Sequence, residues 1–200
     1  MKITPEFRIK LEGLLKMQMG VLSSDDLWLI ISPTSKVDFY RQLKKLKTEK
    51  LIFDVCRGFF VGKGYSRPAL IMAIKPESYL SLEFALAYYN MIGTYSEEKI
   101  RPILPTSTRS ISISDGLYID FKKLSKDLIF GFEVKDGIKV ATKEKAFLDT
   151  LYFYLKGTKF YFDIYSDIDV QSLNKKKLFS YLKKYKNPKF IKFVKGYFND

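Results

Sequence analysis

Few residues in this chain could carry chemistry, and their spacing narrows them further. Ser166-Asp167-Ile168-Asp169-Val170 lies downstream of Gly157-Thr158. An Asp-x-Asp pair on a strand puts both carboxylates on one face, as in nucleotidyltransferases of the polymerase-β type, which bind Mg²⁺ with them. Here the stretch from Lys159 to Tyr165 is aromatic where such enzymes carry a basic, glycine-containing loop. Val170 is followed by Gln-Ser-Leu-Asn and not by an apolar continuation. A Mg²⁺-dependent nucleotidyltransferase using Asp167 and Asp169 is thus the enzymatic alternative; an acidic loop before a helix fits the same residues.

Lys145 and Asp149 stand four apart, the spacing of an ion pair on one helix, with a functional role as the second reading. The run Gly58-Phe59-Phe60-Val61-Gly62-Lys63-Gly64 has too few residues between glycines for a phosphate-binding loop and lacks Ser or Thr after the lysine. There is no histidine, which removes Ser-His and Cys-His nucleophilic machinery and the usual imidazole acid–base catalyst. One cysteine, Cys56, cannot form an internal disulfide or a cysteine-cluster zinc site. The expectation is a non-enzymatic protein with no catalytic residues, no cofactor and no metal. Its free cysteine, and the lack of an apolar run approaching the ~20 residues of a membrane span, point to a cytoplasmic protein without a membrane partner.

The remaining chemistry is that of cations. The net charge of +13 is uneven: residues 1–64 carry +5, residues 65–170 none, and residues 171–200 +8, nine lysines against one aspartate. Positive charge at both ends suits a polyanion partner or a solvated surface. In the first region Ser35, Lys36, Asp38, Arg41, Gln42 and Lys45 fall off the apolar side of one helical stretch, with Arg57 and Lys63 shortly after. Arg and Gln can make bidentate contacts to base edges, and Lys can reach phosphate. The second set is Lys175, Lys176, Lys177, Lys183, Lys184, Lys186, Lys189, Lys192 and Lys195, suited to a nucleic-acid backbone or an acidic partner. Tyr79, Tyr88, Tyr89, Tyr152 and Tyr154 have spacings that fit core packing better than a base-stacking platform.

The elements that must position these residues are legible from period and punctuation. Pro5 opens a helix with Phe7, Leu11, Leu14 and Leu15 on one side, ending near Met17. Ser23 and Asp26 form a capping-box-like start for a second helix, which Ser32-Pro33 stops. A third runs from Thr34 or Ser35 to about Lys47, with Phe39, Leu43 and Leu46 as its stripe. Leu51–Val55 and Gly58–Val61 then read as two strands joined at Cys56-Arg57-Gly58. This order is that of a winged helix-turn-helix, whose second motif helix enters the major groove of duplex DNA. A solvated helix face, or a winged fold used only to dock protein, remains the alternative.

Gly62-Lys63-Gly64 and Ser66-Arg67-Pro68 mark a boundary, giving domains at 1–64 and 65–200. The second domain reads as mixed α+β. Ser81 caps a helix to Met91; strands follow at Ile100–Leu104, at Ser110–Ser114 and Leu117–Phe121 around Asp115-Gly116, and at Leu128–Val134 and Ile138–Ala141 around Asp136-Gly137. Thr142 caps a helix from Lys143 to about Lys156. Terminal helices lie near Asn174–Tyr185 and Pro188–Tyr197, with Leu178, Tyr181, Leu182, Phe190, Phe193 and Val194 inward. The fold class is therefore α+β, an N-terminal winged helix-turn-helix followed by a domain of antiparallel hairpins and terminal helices.

Three stretches carry a family likeness: Leu43-Lys44-Lys45-Leu46 leading into the wing Arg57-Gly58-Phe59-Phe60-Val61; Ser78 through Gly93; and Ala141-Thr142-Lys143-Glu144-Lys145-Ala146-Phe147-Leu148-Asp149. On these the chain resembles the AbiEi antitoxin family of the abortive-infection AbiE type IV toxin–antitoxin systems, departing at Asn90-Met91, where many members have His-Gly. The resemblance implies a transcriptional autorepressor that binds operator DNA with repeated half-sites, as a monomer or weak dimer that can act cooperatively. It also implies a C-terminal domain (65–200) that antagonises a cognate nucleotidyltransferase toxin in phage defence.

Overall fold

The computed structural model describes residues 3–93 and 95–198. The chain is mixed α+β and divides into two compact units, Met1–Pro76 with Ser112–Gly116, and Glu77–Ile111 with Leu117–Asp200.

In the first unit, α1 (Pro5–Met17) starts with Pro5 at its first turn and the Thr4 hydroxyl accepting the Phe7 N–H, and it buries Phe7 and Leu11. A short strand β1 (Val21–Ser23) leads directly into α2 (Ser24–Ile31), because Ser23 both ends the strand and caps the helix. The expected capping box is present: Ser23 Oγ accepts the Asp26 N–H while Asp26 Oδ2 accepts the Ser23 N–H at 2.7 Å. Ser32 closes α2 in the left-handed region, and Pro33 keeps it from continuing.

The third helix, α3 (Lys36–Thr48), is capped by Ser35 and buries Phe39, Leu43 and Leu46 as the apolar stripe requires. Strands β2 (Phe53–Cys56) and β3 (Phe59–Val61) follow, shorter than expected, since Leu51 and Ile52 sit in the approach to β2. The three strands form an antiparallel sheet in the order β1-β3-β2. Its inner face and the three helices enclose one core, including Leu11, Leu22, Leu27, Leu43, Leu46, Ile52 and Phe60.

Two elements here escape sequence reading. Strand β1 is too short for an alternating pattern to register. Ser66-Arg67-Pro68, expected to be a boundary, opens α4 (Arg67–Ile74), with Ser66 as its cap and Pro68 in its first turn. The first unit therefore extends past Gly64 to Pro76, with Ser66 N–H donating to the Met19 carbonyl. Gly20 must be glycine for this, because its φ is +82° and a Cβ would lie 2.7 Å from Tyr65 Cα. Ser114 Oγ donates to the Asp54 carbonyl and Tyr65 Oη to Asp115, which ties Ser112–Gly116 into the same unit.

The second unit holds β4 (Tyr79–Leu80), α5 (Leu82–Tyr88), β5 (Lys99–Ile100), β6 (Pro102–Leu104), β7 (Arg109–Ser112), β8 (Tyr118–Lys123), β9 (Phe132–Lys135), β10 (Ile138–Ala141), α6 (Lys143–Leu155), α7 (Lys175–Leu182) and α8 (Pro188–Gly196). Its sheet runs β5-β8-β6-β4-β10-β9, with β7 also paired to β8. Pairing is mixed: β9–β10 and β4–β6 are antiparallel, while β4–β10, β6–β8 and β5–β8 are parallel. The hairpin at Asp136-Gly137 turns as its dipeptide requires, with both residues at positive φ. Leu128 lies instead in a short 3₁₀ turn (Lys126–Leu128), outside any strand.

Helix α6 is the hub of this unit, packed against α5, α7 and α8. The stretch Ile100–Leu104 breaks into β5 and β6 at Arg101, whose side chain turns inward to an ion pair with Glu83 on α5. Both groups are buried, and Asp120 and the Lys159 carbonyl complete the cluster. Burial pushes the Glu83 carboxyl up, against the opposing pull of Arg101.

Candidate functional site

Four sets of residues are candidates for function, and the fold treats them differently. The first is the outer face of α3. With Phe39, Leu43 and Leu46 inward, Arg41, Lys44 and Lys45 are exposed along the opposite side, and Lys36 is exposed at the first helical position. Val37 and Tyr40 share that face, 80% and 66% exposed, and sequence reading passed over them because an apolar type argued for the core. Positions 37, 40, 41 and 44 share one helical face, so the spacing would have found them had residue type been set aside.

Within this face Asp38 is a hub. Its carboxylate accepts the Arg41 guanidinium, the Gln42 amide at 2.7 Å and the Thr34 N–H at 3.3 Å. The Arg41 bond is the main reason its pKa lies below the ordinary carboxylate value. Gln42 is a correction. Expected on the exposed side, it is only 6% exposed, because it sits beside Phe39 and Leu43 on the stripe's flank and folds back to Asp38. Its Oε1 is buried without a hydrogen-bond partner among the described residues. Ser35 is the helix cap, its hydroxyl accepting the Asp38 N–H.

Arg57 is exposed at the tip of the β2–β3 hairpin, and Lys63 is exposed just beyond β3. The tip is anchored, since the Gly58 carbonyl accepts the Ser24 N–H at 2.9 Å. Lys47 bridges to Asp54 at 2.8 Å and lies over the Phe60 ring, which holds α3 against the hairpin. Ser35, Lys36, Asp38, Arg41 and Lys45 thus lie on one helix, with Arg57 and Lys63 on the neighbouring hairpin.

The second set is Lys145 and Asp149 on α6, both wholly buried and ion-paired. Asp149 also accepts the hydroxyls of Tyr79 and Ser81, each at 2.8 Å. Lys145 Nζ donates to Tyr185 Oη at 3.1 Å and lies over the rings of Tyr79, Phe130 and Tyr185. Burial lowers the Lys145 pKa against the pull of Asp149; burial, then Asp149, raises the Tyr79 and Tyr185 phenols. Ser81 occupies the N-cap position of α5, but its hydroxyl is spent on Asp149 and makes no cap bond. Thr142 likewise stands at the N-cap of α6 with its Oγ1 buried and without a hydrogen-bond partner among the described residues. Tyr79, Ser81, Lys145, Asp149 and Tyr185 are all buried, and they come from β4, the N-cap of α5, α6 and the segment after α7.

The third set is Asp167 and Asp169, which lie in a turn and not on a strand. Asp167 Oδ2 accepts the Asp163 N–H at 2.7 Å, and Asp169 Oδ1 accepts the Gln171 N–H at 3.0 Å. The shared strand face that two-carboxylate chemistry requires is not formed. Among the described residues no group of three or more Cys, Asp or Glu side chains is placed to hold a metal ion. No helix among them is long and apolar enough to cross a membrane.

Of the nine C-terminal lysines, all are exposed except Lys177, which is half-buried and pairs with Glu144 at 3.2 Å. The tyrosines expected in the core divide: Tyr79 is buried, whereas Tyr88 and Tyr154 are exposed.

No family model matches the sequence, and neither does any curated protein. Among solved structures, the chain is similar to the crystal structure of the RV2827C protein from Mycobacterium tuberculosis, with a TM-score of 0.62 at 14% identity. The likeness covers 94% of this chain and 74% of that one, and it concerns the fold alone.

Proposed function

We propose that this chain is a double-stranded DNA-binding regulator whose first unit works as a winged helix-turn-helix. The observation that carries the reading is the exposed face of α3, with Lys36, Tyr40, Arg41, Lys44 and Lys45, set beside a hairpin that presents Arg57 at its tip. A helix of that character can enter the major groove while the hairpin meets the phosphate backbone. The element order α1-β1-α2-α3-β2-β3 and the sheet order β1-β3-β2 agree with such a module. In this reading the contact set is Lys36, Arg41 and Lys45 with Arg57 and Lys63; Ser35 and Asp38 shape the helix start, and Gln42 supports it from inside.

The resemblance to AbiEi antitoxins extends the proposal: the chain represses its own operon and antagonises a nucleotidyltransferase toxin, without chemistry of its own. Two of the three stretches behind that resemblance meet in the second unit, where Tyr79 and Ser81 bond to Asp149. A mobility-shift titration of the full chain on duplex from its own upstream region tests the reading. Retardation at low salt should weaken linearly in log affinity against log salt, and Arg57→Ala should weaken all duplexes alike. No retardation at low salt would sink it.

A further inference from the structure

The second unit carries a groove of about 750 Å³ between the end of α6, the turn at residues 163–167, and α8. Four rings cluster there as two near-parallel pairs. Tyr165 lies on Tyr197, with centroids 5.6 Å apart and planes at 10°; Tyr154 lies beside Phe193 at 6.3 Å and 8°. Tyr165 meets Tyr154 and Phe193 nearly edge-on, at 83° and 84°. Tyr165 is nevertheless 60% exposed, so Tyr197 covers only one side of it.

The position of Tyr165 is fixed by the acidic turn. Asp163 Oδ1 accepts the N–H groups of Tyr165 and Ser166, at 2.7 and 3.0 Å, while Asp167 accepts the Asp163 N–H. Asp163 and Asp167 are thus both engaged in placing a ring. Across the groove, Lys189 and Lys192 are exposed one turn apart on α8, which Asn187 caps and Pro188 opens. At its edge the Tyr197 hydroxyl is buried with no partner among the described residues. Burial, followed by neighbouring Tyr165, raises the pKa of that phenol.

An exposed aromatic face and paired lysines are the requirements of a stacked base and its phosphates. We propose that this groove binds single-stranded nucleic acid, with a base stacked on Tyr165 and the backbone held by Lys189 and Lys192. An acidic peptide would satisfy the lysines but leave the rings unused, so the rings favour the nucleic acid. This site is independent of duplex binding by the first unit, and either can fail without the other.

The test is fluorescence anisotropy of the full chain with a labelled single strand of about 12 nucleotides, as RNA and as DNA. Saturable, salt-sensitive binding is expected. Tyr165→Ala should weaken it about tenfold, Tyr165→Phe should preserve it, and Lys189→Glu with Lys192→Glu should weaken it and flatten its salt dependence. Arg57→Ala should leave it unchanged. Binding of either sugar supports the proposal, and a preference between them identifies the source. The proposal falls if there is no saturable binding at low salt, if folded Tyr165→Ala binds as wild type, or if polyglutamate competes as well as the oligonucleotide. It also falls if Arg57→Ala abolishes the binding, which would place it in the first unit. Should Tyr165→Ala fail to fold, Tyr165→Phe and the lysine pair still decide the matter.

Discussion

The two units each carry an ion pair between side chains about one helical turn apart, and they use it in opposite ways. In the first unit Asp38 and Arg41 lie on the outer face of α3, and Arg41 is largely exposed. In the second, Lys145 and Asp149 are sealed inside, under Tyr79, Ser81, Phe130 and Tyr185. Near-identical spacing signals therefore encode an adjustable surface contact in one place and a structural fastening in the other. Spacing determines that the groups meet; surrounding residue types determine what the meeting is for.

The sharpest way to break this contrast is to remove one charge from the buried pair. Lys145→Met leaves Asp149 charged in a closed interior, and breaking a buried pair in this way costs about 3–5 kcal/mol. Urea denaturation followed by far-UV circular dichroism should show the second unit unfolding early. The single tryptophan, Trp28 on α2, reports the first unit separately and should keep its wild-type midpoint. Replacing both partners, Lys145→Met with Asp149→Leu, should restore part of the loss, since no isolated charge remains. The Tyr79 and Ser81 hydroxyls would still lack their acceptor. If Lys145→Met is as stable as wild type, the network is not a fastening.

The exposed pair should respond in function and not in fold. Arg41→Ala is expected to leave the unfolding midpoint nearly unchanged while costing about 1–3 kcal/mol of discrimination between operator and scrambled duplex. The measurement is a pair of binding titrations at one salt concentration. An equal loss on both duplexes would demote Arg41 from base contact to phosphate contact.

How much of this contrast the sequence disclosed depended on local signals. The helices of the first unit were legible because Ser23, Asp26, Pro33 and the Phe39-Leu43-Leu46 stripe are all local. The β9–β10 hairpin was legible because Asp136-Gly137 specifies its own turn. What stayed hidden depends on distant partners. Ser81 and Thr142 look like ordinary caps, but Ser81 is drawn off by Asp149, sixty-eight residues away along the chain. Arg101 interrupts an apparent strand because Glu83 and Asp120 wait inside. Gln42 reads as exposed by its polar type, yet its spacing from Phe39, Leu43 and Leu46 puts it beside the stripe, and Asp38 accepts its amide there. The surface of α3 was half legible: its charges announced themselves, while Val37 and Tyr40 were hidden by their type.

A smaller effect separates the carboxylates of the two units by the sign of their pH dependence. Burial opposes ionisation of Asp26, but the Ser23 hydroxyl and N–H and the Gln18 amide hold its pKa below the ordinary 3.8. A depressed folded value means stability that is present above pH 3.8 and lost as pH falls through the folded pKa. Glu83 is raised above 4.5, so its contribution has the other sign: stability is gained as pH falls through the folded pKa toward 4.5. Ser23→Ala should cost about 1 kcal/mol near neutral pH and less once Asp26 is protonated. The penalty of Glu83→Gln should instead grow on acidification, because wild type gains stability as its raised carboxyl takes up a proton and glutamine does not titrate. Unfolding midpoints from pH 7 down to about 3, read by Trp28 for the first unit and by circular dichroism for the second, check both signs.

The smallest change tests whether the surface pair is adjustable. Asp38→Asn removes the negative charge from the first turn of α3 while keeping an acceptor for the Thr34 N–H. Because Arg41 is largely exposed and asparagine keeps an acceptor, the stability change should stay within about 1 kcal/mol. Duplex affinity should rise a few-fold at low salt, since Arg41 no longer exchanges Asp38 for DNA and one repulsive charge is gone. The gain should fade as salt screens it. The wild-type pKa of Asp38 lies below 3.8, so protonation cannot mimic the variant between about pH 5 and 8, and the affinity ratio should be flat there. A gain that is larger on the operator than on scrambled duplex would mean that Asp38 governs how Arg41 reads bases. An equal gain on both would mean that it only tempers the field of the helix. A loss of affinity would show that Asp38 holds Arg41 in its binding posture, and would make this pair a fastening like its buried counterpart.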